Sequence, residues 1–256
     1  MEKKVAEEVQ LVIWGAGALG SRVGAGWAGP VHGFTRTTAR HAALRAAGIE
    51  PVVGDPLDLL AGGEAARVCL LLSLPGHEAQ GAAIARLQHH PPPVRAVLIS
   101  TTGYYGSQGG RLNEETSVGD EARARSIAQV EEAFAVWAGE KGVILRMGGL
   151  YDDQRGPYAA LRRRGTTRSP IVPNKVLPLI HYDDAASAVG AALRRATVAP
   201  CYLTVTPPCP TRAEFYAEAC RRLNLPLPPQ APAQDAPPAI YDVALLRRDL
   251  LPDPAY

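Results

Sequence analysis

The chain has 256 residues, 46% of them hydrophobic, and a formal charge of +2. That composition suits one large domain, or a core domain with a small lobe attached. Its dispersed basic residues argue against a nucleic-acid surface, and no apolar run is long enough to cross a membrane. The opening "MEKKVAEEVQ" lacks the apolar core of a signal peptide, so a cytoplasmic protein is expected. The cysteines, Cys69, Cys201, Cys209 and Cys220, form no C-x-x-C pair, no His/Cys cluster has zinc spacing, and no metal is expected.

Taken in chain order, short apolar runs alternate with amphipathic ones. "VQLVIWGAG", "PVHGFTR", "IEPVVGD", "RVCLLLSLP", "RAVLIST" and "GVILRMGGLY" read as strands, rich in Val, Leu and Ile. "ALGSRVGAGWAG", "TTARHAALRAAG", "HEAQGAAIARLQ" and "ARSIAQVEEAFAVWAG" read as helices between them, ending at or near Gly, which tolerates the C-cap conformation. Strand and helix in alternation predict a parallel sheet covered on both faces. After Tyr151 the rhythm breaks into a polar, basic, Pro-containing stretch. "HYDDAASAVGAALRRA" then returns to helix and "CYLTVT" to strand. A further helix lies in "PPCPTRAEFYAEACRRLNLPLPP", "QAPAQDAPPA" is a linker, and "YDVALLRRDLLPDPAY" holds a short helix and a closing segment. The expected fold is α/β: a Rossmann-type doubly wound parallel sheet with a small C-terminal substrate lobe. Residues 1–150 form the core, 151–180 an insert belonging to the lobe, 181–206 a return to the core, and 207–256 the rest of the lobe.

Gly15-Ala16-Gly17-Ala18-Leu19-Gly20 is a G-x-G-x-x-G between the first strand and the first helix, the context that gives the pattern meaning. Gly15 makes the tight turn, Gly17 lets the backbone approach a pyrophosphate, and Gly20 lets helix and strand pack closely. Ala18 and Leu19 open the helix, whose free N–H groups and partial positive charge suit phosphates. The second strand ends Phe34-Thr35-Arg36-Thr37, with no carboxylate to bond a ribose 2′-hydroxyl. Arg36 offers a bidentate partner for a 2′-phosphate and Arg40 a second, so the expected cofactor is NADP(H). Asp55 is placed for the adenine amino group, and Leu74 and Pro75 lie along the cofactor.

The glycine loop, "GD" after the third strand, "ISTTGYYG", "LRMGGLY" followed by Arg155, "PLIHYDDAASAV" and "YLTVT" together resemble the short-chain dehydrogenases/reductases of the NAD-dependent epimerase/dehydratase superfamily. The atypical NAD(P)-binding proteins of the bacterial YeeZ type are the most similar subset. The resemblance runs along most of the chain. It implies that Thr101, four residues before Tyr105, is the catalytic hydroxyl, with Tyr104 or Tyr105 as proton donor. The family's Tyr-x-x-Ser-Lys, followed by Glu, superposes on "RARSIAQVE", matching Ser126 and Glu131 but putting Arg123 at the Tyr and Ile127 at the Lys. The lysines are Lys3, Lys4, Lys141 and Lys175, and no Tyr-x-x-x-Lys exists anywhere. Arg123 or Arg125 could polarise a carbonyl or hold a carboxylate. Tyr151, Arg155 and His181 are implied at the substrate, although "YDDQR" replaces Tyr-Gly-Pro-Gly-Arg. Asp183 and Asp184 are expected to cap the helix they open.

These features predict an NADPH-dependent reductase or epimerase-type enzyme acting on a small metabolite, as a monomer or homodimer with no nucleic-acid or membrane partner. Two alternatives stay open: an NADP(H)-bound sensor that has lost the chemistry, and an isomerase or lyase on the same fold.

Overall fold

The computed structural model describes residues 9–61 and 67–256; the reading of the N-terminal decapeptide falls almost wholly outside them. β1 (Gln10–Trp14), α1 (Ala18–Ala25), β2 (Val31–Thr35), α2 (His41–Ala46), β3 (Glu50–Val53), α3 (Leu57–Ala61), β4 (Val68–Leu72), α4 (His77–Leu87) and β5 (Arg95–Thr101) alternate along the first half. α3 is an addition to the predicted helices. A 3₁₀ turn, Thr102–Tyr105, follows β5, so the two tyrosines sit on a turn rather than in the strand. Then come β6 (Gly110–Leu112), α5 (Ala122–Ala138), β7 (Gly142–Met147), β8 (Gly149–Tyr151), α6 (Pro157–Arg164), β9 (Leu179–His181), α7 (Tyr182–Arg194), β10 (Cys201–Thr204), α8 (Arg212–Leu223), β11 (Ala239–Tyr241) and α9 (Ala244–Asp249).

Among the described residues, seven strands form one sheet in the order β3-β2-β1-β4-β5-β7-β10, every pair parallel. The fold is therefore the expected Rossmann-like α/β arrangement. The chain winds outward from β1 to β3, then returns to the other side of β1, which makes the β1/β4 boundary the switch point where ligands bind in such sheets. Alternate strand residues feed two cores. Leu11, Ile13, Val97, Val143 and Leu145 meet Leu19, Val23, Ala188 and Val189 from α1 and α7. Val12, Leu70, Leu72, Leu98 and Ile144 meet Ile84, Leu87 and Phe134 from α4 and α5.

The run "GVILRMGGLY", predicted as one strand, is two. Gly148 donates to Thr204 O at 2.9 Å and Gly149 to Pro178 O at 2.8 Å, so the chain leaves the large sheet here and β8 pairs with β9 instead. A side chain on Gly148 would meet Val205 Cγ1 at 2.9 Å, which explains a glycine at the crossing. The insert and the C-terminal segment interlock: Leu177 donates to Pro210 O, Ala213 to Pro173 O, and the Asn174 amide pairs with the Gln234 backbone.

Candidate active site

The glycine loop follows β1 at the switch point. Gly15 has φ +98°, and a Cβ there would lie 2.6 Å from Ser73 O, so the position demands glycine twice over. A Cβ on Gly20 would meet Ile13 Cγ2 at 2.7 Å, the close helix–strand contact expected of this glycine. A Cβ on Gly17 would meet nothing nearer than Gly15 O at 3.9 Å. The space above Gly17 is open, and no side chain caps α1. The first-turn N–H groups of Ala18 and Leu19 have no intrahelical partner and are left to a ligand. These features fit a dinucleotide pyrophosphate.

The loops beside it come from β2, β3 and β4. Arg36 is exposed and makes no hydrogen bond among the described residues. Arg40, named second in the sequence, instead reaches back to the loop, donating to Ala16 O and Ser21 Oγ at 3.3 Å each. Asp55 is committed: it accepts the Leu57 N–H at 3.2 Å and pairs with Arg86 at 2.8 Å. Both of its oxygens thus have a partner within the chain. Leu74 is tied to the end of β5 by Gln80, whose amide donates to Leu74 O at 3.0 Å and to Ile99 O at 2.7 Å.

The turn after β5 carries Thr101, Tyr104 and Tyr105. Thr101 Oγ1 accepts the Gly103 N–H at 3.2 Å, which leaves its own proton free to donate. Tyr104 is half-buried and its hydroxyl makes no hydrogen bond among the described residues. Tyr105 is different. It is 1% exposed, and its phenol donates to Asn113 O at 2.8 Å and accepts from Arg146 at 3.2 Å. Burial pushes its pKa well above the usual phenol range, with Arg146 opposing. The Tyr105 hydroxyl is thus committed within the interior, whereas that of Tyr104 is not.

Arg146, outside the expected site, is the one charge within the apolar run of β7. It lies on the same side of the sheet as α5, where Ala124, Ile127, Glu131, Phe134 and Ala138 form the buried stripe. Arg146 and Glu131 pair in the interior at 2.8 Å, and Ser100 donates to the same carboxylate at 2.5 Å. The guanidinium carbon lies 3.3 Å from the centre of the Tyr104 ring. A charge in a buried strand and a carboxylate in a helix's apolar stripe each require a partner, and that was the available signal. Ile127, at the family's Lys position, is 3% exposed and packs beneath the turn at Gly103. Arg123 is exposed and makes no ion pair among the described residues.

Tyr151 and His181, both expected at the substrate, meet at the start of α7. His181 is 9% exposed and its Nδ1 accepts the Asp183 N–H at 3.2 Å, so His181, not an aspartate, caps this helix. Its ring stacks on Tyr256 at 3.7 Å and meets Tyr151 edge-on at 5.3 Å. Asp184 accepts the N–H groups of Ala255 and Tyr256, and Asp183 pairs with Arg22 at 2.9 Å. The acidic departure in "YDDQR" is explained by the same arginine: Arg22 of α1 grips Asp152 at 2.6 Å. Arg155 stands 3.9 Å from Asp152 and is exposed.

No protein-family model matches the chain, and no curated protein matches it in sequence. Solved structures do match in shape. The dTDP-glucose 4,6-dehydratase of Bacillus anthracis, in complex with NAD, superposes with a TM-score of 0.77 at 16% identity, covering 97% of this chain and 92% of that one. This is the fold of the epimerase/dehydratase short-chain dehydrogenases/reductases. The UDP-glucuronic acid 4-epimerase of Bacillus cereus, in complex with UDP-glucuronic acid and NAD, shares it with a TM-score of 0.71 at 15% identity, over 96% of this chain and 94% of that one. So does a conserved protein of unknown function from Silicibacter pomeroyi, with a TM-score of 0.72 at 23% identity, over 94% and 92%. Among the described residues, no helix in this fold is long and apolar enough to cross a membrane.

Proposed function

We propose that this chain binds NADP(H) across the β1/β4 switch point and is a cytoplasmic reductase or epimerase-type enzyme acting on a small metabolite. One observation carries the reading. The turn after β5 offers two hydroxyl protons without an acceptor among the described residues, on Thr101 and Tyr104, at the same sheet edge as the open glycine cradle. The N–H groups of Ala18 and Leu19 would hold the pyrophosphate, and Arg40, with Arg36, the 2′-phosphate. Bound there, the cofactor supplies or accepts a hydride. Thr101 would hydrogen-bond the substrate oxygen and orient it, and Tyr104 would deliver a proton to it. A phenol holds its proton at neutral pH, which suits donation to an oxygen receiving hydride better than proton removal. Arg146 stacks on the Tyr104 ring and acts as a positioning residue, with Glu131 and Ser100 fixing its plane.

The test is turnover on a panel of carbonyl and imine substrates, followed through the near-ultraviolet absorbance of NADPH. Thr101→Ala and Tyr104→Phe should each lower turnover about 10²–10⁴-fold, with cofactor affinity nearly unchanged. Tyr105→Phe should act mainly on stability. Near-parental turnover in the first two variants would refute the assignment.

A second reading, a binding protein without chemistry, is favoured by Ile127. An apolar, buried side chain fills the place of the family's lysine, and among the described residues the cation stacked on Tyr104 is Arg146. Tight NADPH binding with no hydride transfer across the whole panel would decide for it.

A further inference from the structure

Arg22 lies one helical turn beyond the glycine loop, and each nitrogen of its guanidinium has a separate acceptor. Nε donates to Asp183 at 2.9 Å, Nη2 to Asp152 at 2.6 Å and Nη1 to Ala18 O at 3.2 Å. The guanidinium carbon also lies 4.7 Å from the centre of the Tyr182 ring. One side chain thus joins the helix of the glycine loop to the turn after β8 and to the first turn of α7. Asp152 stands where the family's Tyr-Gly-Pro-Gly-Arg has its first glycine, so this bridge is a departure from that pattern.

Asp152 divides its two oxygens between the two sides of the bridge. Oδ2 takes Arg22, while Oδ1 accepts the N–H groups of Gln154 and Arg155 at 2.8 and 2.7 Å. The shape of the 152–155 turn therefore depends on a carboxylate whose charge Arg22 balances. Gly156, with φ +90°, folds the chain back on Tyr151, since a Cβ there would lie 2.5 Å from Tyr151 Cβ. Tyr151 and Arg155, two residues expected at the substrate, bracket the turn. At the other end of the bridge, Ala18 O belongs to the same peptide group as the Leu19 N–H, which is left to a pyrophosphate. A phosphate accepting from that N–H polarises the peptide and strengthens its carbonyl as an acceptor. Ligand and guanidinium thus act on one peptide group from opposite ends.

We infer that Arg22 is a positioning residue that couples the dinucleotide to the substrate turn. Pyrophosphate at Leu19 fixes the guanidinium against Ala18 O, and the guanidinium fixes Asp152 and the turn that carries Arg155. The inference rests on the cofactor half of the function proposed above.

The experiment is amide hydrogen exchange on the full chain with and without saturating NADPH, with calorimetry confirming saturation. The Gln154 and Arg155 amides belong to exposed residues and exchange by local opening. Binding elsewhere does not slow such exchange unless the two events are coupled. In the parent, NADPH should slow both amides about tenfold or more, the effect of one charge-assisted bond. R22Q should lose that slowing. So should Asp152→Asn, which keeps an acceptor for the turn and leaves α1 unaltered, and which judges the inference if R22Q fails to fold or to bind NADPH. The Gln234 amide, held by Asn174 at 2.8 Å in the lobe, should not respond. An intact response in either variant overturns the inference and leaves Arg22 a structural tie. An unslowed parent despite calorimetric binding also overturns it, as does an equal response at Gln234, which would mark a change of the whole lobe. Failure of the parent to bind NADPH in the calorimeter overturns the cofactor reading, and this coupling with it.

Discussion

Replacing Gly17 by valine should abolish dinucleotide binding and leave the fold intact. The Gly17 backbone has φ −79° and ψ −157°, a conformation open to side-chain-bearing residues. A Cβ there comes no nearer to other atoms than 3.9 Å, so stability should change by roughly 0.5 kcal/mol or less. The two valine methyls would occupy the space in front of the Ala18 and Leu19 N–H groups. Each hydrogen bond from such a donor to a charged phosphate contributes about 1.5–3 kcal/mol. Losing two costs about 3–6 kcal/mol, or about 10²–10⁴-fold in Kd. Calorimetry with NADPH reads the affinity, and thermal unfolding followed by circular dichroism reads the fold. Gly20→Val is the contrasting variant. Its Cβ would sit 2.7 Å from Ile13 Cγ2 and 3.2 Å from Gly15 O, so it should cost about 1–3 kcal/mol of stability through overpacking. A folded Gly17→Val protein with parental affinity would refute the reasoning and reduce the loop to a turn.

Arg36→Ala should weaken NADPH about tenfold or more and leave NADH nearly unchanged, whereas Arg40→Ala, which also removes the bonds to Ala16 O and Ser21 Oγ, should weaken both; equal parental affinities for the two nucleotides would count against a 2′-phosphate site. Arg146→Met should cost about 3–5 kcal/mol in urea unfolding, because it strands the Glu131 carboxylate in the interior, and Arg146→Met with Glu131→Leu should cost less than the single change. Burial alone would raise the Asp152 carboxyl, but the N–H groups of Gln154 and Arg155 and the Arg22 guanidinium outweigh it and hold the pKa below the usual carboxylate range. Its contribution is therefore present above the unfolded value of about 3.9 and lost as pH falls through the folded one. Acid titration of Asp152→Asn should show a shallower loss of stability below about pH 4 than the parent, and an identical profile would remove Asp152 from the balance.

Much of the architecture is local in origin and therefore legible in the chain. The apolar runs of β1, β4, β5 and β7 alternate with helical stripes, and a parallel sheet is the only arrangement that buries both. The G-x-G-x-x-G could be assigned glycine by glycine because its requirements, a positive φ, an open approach and a close helix contact, belong to neighbouring residues. The absent Tyr-x-x-x-Lys was equally plain from the four lysine positions. What the chain could not announce are the partnerships between residues far apart in sequence. Tyr104 and Tyr105 are adjacent and chemically identical, yet one ring covers Arg146 with its hydroxyl free and the other sends its hydroxyl into the interior. Arg36 and Arg40 are both near the end of β2, but only Arg40 folds back onto the glycine loop. Asp184 is expected as a cap and instead holds the backbone of Ala255 and Tyr256, while His181 takes the cap. In each case the sequence sets which groups need a hydrogen-bond or charge partner. Which partner each one meets depends on how helices and loops pack over the sheet edge, a long-range property that only the tertiary structure decides.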